Sequence, residues 1–237
     1  ERITGVTNDD VIALNTRDNP GTQTTIRSLG SIRNIVIRDI WANVHQRSGC
    51  IVALYSSQFD NAAAIALGYA AKPTIVSLTY DGTTRRVTAT TNIPHFATVG
   101  DSITFTGSTC TGTGYNVEIA DVESTPTPTT FTYFAPNTPG AYVSGAMLRI
   151  YWSLQDITVQ NIRGNTKSSP TVKLMSWNAD SPADAAGFGR NIVFEDIEGT
   201  VTTPGTGQLC AVMNVHTKGF RLSAAKSRQI AGFPLFD

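Results

Sequence analysis

Charge is scarce in this chain. Only 15% of its 237 residues are Asp, Glu, Lys or Arg, and 18 acidic side chains balance 18 basic ones. No basic run stands out, so neither the whole chain nor a local patch is expected to draw nucleic acid. Cysteine is scarcer. Cys50, Cys110 and Cys210 have no CxxC spacing, and an odd count makes no disulfide framework. Cys50 and Cys210 sit in apolar stretches and read as small buried hydrophobes. The three histidines stand far apart, without metal-ligand spacing, and no metal or cofactor is expected. A run of about 18 apolar residues is missing, so no segment is expected to span a membrane. Neither an initiator Met nor a signal peptide opens the chain. A repeating pattern is already under way near Glu1, so the sequence reads as a fragment or the ordered part of a longer protein.

What is present is a repeat. Asn34-Ile35-Val36-Ile37-Arg38-Asp39-Ile40, Asp156-Ile157-Thr158-Val159-Gln160-Asn161-Ile162 and Asn191-Ile192-Val193-Phe194-Glu195-Asp196-Ile197 match closely. Each alternates apolar and polar residues, the period of a half-buried strand. A second apolar strand follows each: Ile51-Val52-Ala53-Leu54, Thr171-Val172-Lys173-Leu174 and Cys210-Ala211-Val212-Met213. Val11-Ile12-Ala13-Leu14 is an earlier copy of that second strand. The unit recurs about every 35 to 45 residues once the middle of the chain is set aside. That is too short for strand–helix–strand units, and tight Asn-Gly hairpin turns are missing between most strands. The expected fold is all-β: a right-handed parallel β-helix whose coils stack equivalent strands.

Parity assigns the faces. Ile35, Ile37, Ile157, Val159, Ile192 and Phe194 should point inward, as should Ile12, Leu14, Val52, Leu54, Val172, Leu174, Ala211 and Met213. The outward columns then read Ala13, Ala53, Lys173, Val212; Asn15, Tyr55, Met175, Asn214; and Ser57, Trp177, His216. A wall carrying Tyr55, Lys173, Trp177, Asn214 and His216 has the composition of a sugar-binding groove, with aromatic faces for apolar sugar faces and amides and charge for hydroxyls. The plainer reading is that outward residues of any solenoid are mixed. Asp39, Asn161 and Asp196 recur at one corner of each repeat and are assigned to turn capping.

The middle of the chain has its own rhythm. Arg86–Thr90, Gly100–Phe105, Tyr115–Ile119 and Thr130–Tyr133 are short alternating strands bounded by Gly, Pro and Asn. This predicts β-helix coils over 1–72, a small inserted β-barrel-like domain over 73–142, and further coils over 143–237. Phe59 to Ala71 reads as a short helix or a loop leading into the insertion, and Ala146 to Trp152 as the strand returning from it. A long insertion in a solenoid loop is tolerated because the coils on either side still stack.

Two adjacent carboxylates, Asp9 and Asp10, precede the first apolar strand. Side by side they can raise each other's pKa by like-charge repulsion. Strict strand parity would turn them to opposite faces, so joint action needs a bend at Asn8 to Asp10. An Asp at such a corner also caps backbone N–H groups without any chemistry.

Asn8-Asp9-Asp10-Val11-Ile12-Ala13-Leu14 resembles the Gly-Asp-Asp plus apolar-strand motif of polygalacturonase-like glycoside hydrolases. It is more similar still to the corresponding element in pectate-lyase-like β-helices of bacteriophage tailspikes. Val172-Lys173-Leu174-Met175-Ser176-Trp177 resembles the later Arg-Ile-Lys-Thr-Trp strand of the polygalacturonase-like enzymes. Asn8 stands where that family has Gly, Ser48-Gly49-Cys50 where it has Gly-His-Gly, and Met175 where it has Lys. His45 is near that missing histidine but out of step. Lys173 matches the family's substrate-binding Arg, and the family's first catalytic Asp would lie before Glu1. Pro94-His95-Phe96, Val99–Phe105, Gly114-Tyr115-Asn116 and Thr129–Tyr133 are similar to a small β domain recurring in phage tail proteins. His95 reads there as a turn residue.

The resemblance implies part of a phage tailspike, located on the virion tail outside the cell and homotrimeric. It would bind and hydrolyse bacterial capsule or O-antigen polysaccharide as a depolymerase, a glycoside hydrolase. Asp9 and Asp10 would be catalytic, with Tyr55, Lys173, Trp177, Asn214 and His216 contacting substrate. Other tail proteins would attach through regions outside this sequence. The alternatives are a non-catalytic glycan-binding or structural appendage, and a polygalacturonase-like pectin hydrolase, secreted if the protein is cellular.

Overall fold

The computed structural model describes residues 2–16, 30–45, 49–111, 114–135, 137–177, 189–203, 213–216 and 221–222. Its strands come in the order β1 (Ile3–Thr7), β2 (Ile12–Asn15), β3 (Ile32–Val44) and β4 (Val52–Gln58). A short helix, α1 (Asn61–Ala66), comes next. Then follow β5 (Ile75–Asp81), β6 (Arg86–Thr91), β7 (Ser102–Cys110), β8 (Val117–Thr127), β9 (Thr130–Phe134) and β10 (Tyr142–Trp152). The chain continues through β11 (Leu154–Thr166), β12 (Val172–Trp177), β13 (Gly189–Val201), β14 (Met213–His216) and β15 (Arg221–Leu222).

The described residues are mainly β and form two sheets. In one, β1-β3-β11-β13-β15, every neighbouring pair is parallel. The other has a parallel part, in which β2 and β12 flank β4 and β14 pairs with β12. Its remaining strands, β10-β7-β8-β9-β6-β5, are antiparallel. Successive repeats send their first strand to the first sheet and their second strand to the second: β1 and β2, β3 and β4, β11 and β12, β13 and β14.

The three matched sequence segments lie in register. Ile157 pairs with Ile35 and Ile192, Val159 with Ile37 and Phe194, and Ile162 with Ile40 and Ile197. All of these side chains but Ile35 share one core with Val52, Leu54, Val172 and Leu174 from the second sheet, and Ile12, Leu14 and Ile35 pack against its margin. Burying a branched side chain of this size stabilises by roughly 1.5–3 kcal/mol, so the rows of Ile and Val fix the stacking.

The long strands do not alternate throughout. Buried positions step by three from Ile37 to Ile40, Val159 to Ile162 and Phe194 to Ile197. Asp39, Asn161 and Asp196 cause the step, with left-handed φ of 58°, 52° and 49°. Asn and Asp tolerate that conformation because their short polar side chains bond locally. Here they bond along the stack instead: Asn161 Nδ2 donates to Asp39 Oδ1 at 2.7 Å. A second column, unforeseen from the sequence, behaves alike. Asn34, Asp156 and Asn191 have φ of 58°, 54° and 51°, and Asn191 Nδ2 donates to Asp156 Oδ1 at 2.9 Å.

Parity misplaced the last second strand. Val172 pairs with Met213, Lys173 with Asn214 and Met175 with His216, two residues later than the match to Cys210–Met213 implied. A two-residue slip keeps every side chain on its own face, so apolar pattern alone does not detect it. Cys210, Ala211 and Val212 lie outside the described residues. Two residues assigned to the outward wall are buried: Ala53 at 0% exposure and Ser57 at 2%. Ser57 Oγ lies 2.7 Å from Thr16 Oγ1, and its backbone is covered by Trp152 of β10, which continues the β4 edge where β2 ends.

The strands between β4 and β11 hold a second core, built from Val87, Ala89, Ile103, Phe105, Phe131 and Tyr133 among others. It also draws in Phe59, Ala63 and Ala64 before residue 73 and Leu148, Ile150 and Trp152 after residue 142. The ring of Phe59 meets those of Trp152 and Phe96 at 5.3 and 5.4 Å. Three residues in register on the first sheet, Arg33, Gln155 and Arg190, tie this unit down. Arg33 donates to the Val99 carbonyl at 2.7 Å and pairs with the fully buried Asp101 at 2.8 Å. Gln155 Nε2 donates to the Gly100 carbonyl at 2.8 Å. The guanidinium of Arg190 grips both carboxylate oxygens of Asp121, one at 2.8 Å.

Candidate functional site

Asp9 and Asp10 stand in the bend between β1 and β2, not within a strand. The bend frees them from strand alternation. Asp9 is exposed and Asp10 half-buried. The Asp10 N–H donates to Asp9 Oδ1 at 2.9 Å, and the Asp9 N–H to Thr7 Oγ1 at 3.3 Å. Asp10 Oδ1 accepts the N–H of the buried Cys50 at 2.6 Å. Gly49 explains how that loop comes so close. A Cβ on Gly49 would sit 2.6 Å from Val44 Cγ1 and 3.0 Å from Asp9 Cα, so a histidine at this position has no room without moving the Asp9 backbone.

Four of the seven predicted site residues meet electrostatically. The Asp10 carboxyl is raised above the usual carboxylate range, first by burial and further by the charge of Asp9, while the Cys50 N–H and the Lys173 ammonium pull it back. The Tyr55 hydroxyl is pushed well up, by burial first and then by Asp10. Lys173 Nζ lies 5.9 Å from the centre of the Tyr55 ring, a diagonal cross-strand contact, since Lys173 pairs with Ala53 two residues before Tyr55. The Cys50 thiol is pushed up to about 12, by burial first and then by Asp10; it is a neutral wall of the site and no nucleophile.

Trp177, Asn214 and His216 are placed by backbone only. Trp177 pairs with Ser57, Asn214 with Lys173, and His216 with Met175; their side chains lie outside the described residues. Cys50, Gly49 and Ser169, which bonds the Cys50 thiol, were missed in the sequence. Only the short Gly49-Cys50 pair in the family's Gly-His-Gly position marked them.

His95 is a fully engaged structural residue. Its Nε2 lies 3.2 Å from the carbonyls of both Thr127 and Thr130, and its Nδ1 accepts the Ala97 N–H at 3.0 Å. Two carbonyls around Nε2 require the proton there and an unprotonated Nδ1, which leaves no ring atom for a ligand. Among the described residues no group of three or more His, Cys, Asp or Glu could hold a metal ion, and no helix is long and apolar enough to cross a membrane.

The arrangement supplies one exposed carboxylate, one carboxyl held towards its protonated form, a cation and an aromatic ring on one wall. Comparison with protein-family models and with curated proteins finds no match for the chain.

Proposed function

We propose that the chain is part of a tailspike-type right-handed parallel β-helix that binds and hydrolyses bacterial surface polysaccharide at the Asp9–Asp10 bend. The solenoid reading is supported by repeats that alternate between a parallel sheet and the parallel part of a second, mixed sheet, in constant register around a shared core. The catalytic reading is carried by one observation: Asp10 is raised by burial and Asp9 while Lys173 and Tyr55 face the same spot. Glycoside hydrolysis needs one carboxyl protonated and one ionised. Asp10 is the proton donor to the glycosidic oxygen, through Oδ2, because Oδ1 is held by Cys50. Asp9, exposed on the bend, takes a proton from the attacking water as the general base. Lys173 and Tyr55 hold the sugar by charge and ring face. The working form is a homotrimer on the virion tail, outside the cell, joined to other tail proteins through other regions.

Purified capsule and O-antigen preparations test this. Asp9→Asn and Asp10→Asn should each lower reducing-end release by about 100-fold or more with an unchanged circular dichroism spectrum. Full activity in both variants sinks the hydrolytic reading.

A second reading is favoured by the bond from the Cys50 N–H to Asp10, which is what a purely structural corner would show. The β-helix then binds glycan or shapes the appendage without cleaving. Retention of polysaccharide with no reducing ends released would select it. A pectin hydrolase is the remaining alternative and predicts release from polygalacturonate.

A further inference from the structure

The outer face of the parallel sheet carries a second group of residues that the proposed function does not use. Trp41 on β3 is 56% exposed, rare for so large a ring. It pairs in register with Thr4 on β1 and Arg163 on β11. The Arg163 guanidinium lies 5.7 Å from the centre of the Trp41 ring. Two residues on, Asn43 and Asn165 are also in register, and Asn43 Oδ1 accepts both the backbone N–H and the Nδ2 of Asn165, at 3.2 and 2.9 Å. Between these side chains lies a hollow of ≈ 290 Å³ lined by Trp41, Ala42, Asn43, Arg163 and Gly164.

Gly164 lets the strands close beneath the hollow. It has φ +152°, and a Cβ there would sit 1.7 Å from the Ala42 carbonyl oxygen and 2.9 Å from the buried Ile51 side chain. Its missing side chain therefore faces inward, and the hollow lies on the outer face between the ring, the guanidinium and the Asn43 amide. Among the described residues Arg163 makes the ring contact and no hydrogen bond or ion pair, and Trp41 Nε1 donates to nothing. An exposed ring face beside unspent N–H donors is the chemistry that recognises a pyranose: stacking on the apolar sugar face, donors to the hydroxyls. The neighbouring outward positions, Thr4, Asn43, Asn165 and Glu198, are polar. A contact between copies of the chain would need about 800 Å² per partner with an apolar centre, and among the described residues only Trp41 and Val6 are exposed large apolar side chains beside the hollow.

We infer that Trp41, Arg163 and Asn43, the last oriented by Asn165, form a second, non-catalytic saccharide site that holds one pyranose unit. It shares its ligand class with the proposed function and none of its residues. The indole N–H resonance of Trp41, assigned with Trp41→Phe, reports on it directly. Methyl glycosides of glucose, galactose, N-acetylglucosamine and galacturonic acid are titrated against the chain in heteronuclear NMR. The Trp41 signal should move saturably with at least one glycoside, and Asn43→Ala or Arg163→Ala should weaken that binding by about tenfold. The galacturonate arm tells whether Arg163 serves a carboxylate or a hydroxyl. A Trp41 signal unmoved by all four sugars overturns the inference. So does a signal that broadens with protein concentration alone and recovers on dilution, which would make the face a contact between copies. Both readouts are independent of turnover, so an inactive Asp9–Asp10 bend leaves the result interpretable.

Discussion

Asp10 links stability to the proposed chemistry. The folded chain holds its carboxyl above the ordinary value of 3.8. The folded state thus keeps this proton to higher pH than the unfolded state. The contribution to stability is complete below the ordinary carboxylate pKa and is lost as pH rises through the raised folded value. Asp10→Asn keeps an oxygen for the Cys50 N–H and removes the charge. The variant should melt higher than the parent near neutral pH, with the gap closing towards pH 4 in thermal scans. Asp10→Ala instead strands a buried N–H and should cost about 1–3 kcal/mol. His95 runs with the opposite sign. Burial lowers its pKa below 6.5 despite the two carbonyls on Nε2. Its contribution is present above that value and lost as pH falls through the lowered one. His95→Gln should flatten the acid limb of the melting curve below pH 6.5. The charge of Asp9 on Asp10 was legible in the sequence; neither burial was. Asp10 and Cys50 are 40 residues apart, and burial is a property of what the chain brings over a residue.

The strands were legible because their signals are local. Alternation of Ile, Val and Thr with polar residues marks each one, and the Asx-Ile corner marks where the buried face shifts; the strand runs on through it and does not end in the capped turn expected from the sequence. That corner carries a testable cost. Asn161→Ala forces a Cβ-bearing, non-amide residue into left-handed backbone, about 1–2 kcal/mol, and deletes the bond to Asp39, about 1 kcal/mol more. Asn161→Gly loses only the bond and the entropy of a freer chain. Denaturant midpoints should therefore rank Asn above Gly above Ala. What alternation could not supply was register. The strand at Met213–His216 reads equally well two residues earlier, because a slip of two exchanges one inward apolar residue for another. Ser57 escaped for a related reason: outward by parity, it is sealed by a strand from the insertion.

At the scale of the molecule, the strands between β4 and β11 are held to β3, β11 and β13 at once by Arg33, Gln155 and Arg190. Replacing Arg33 with Ala leaves Asp101 buried without its cation and should cost about 3–5 kcal/mol. The triple Ala variant should let β5–β9 exchange their amides faster than β11 and β13, measured by native-state hydrogen exchange. The strands between β4 and β11 also bear on the entropy cost of assembly. Asp39 and Asn161 touch across 122 residues, whereas Asp156 and Asn191 touch across 35. Closing the longer loop from an unfolded chain costs about 1 kcal/mol more. Once β10 lies against β4, with Trp152 opposite Ser57, that distance is already spanned, and β11 leaves only one residue after β10 ends. Prior pairing of β10 with β4 therefore eases the pairing of β3 with β11 by about 1 kcal/mol, while β11 and β13 gain nothing from it.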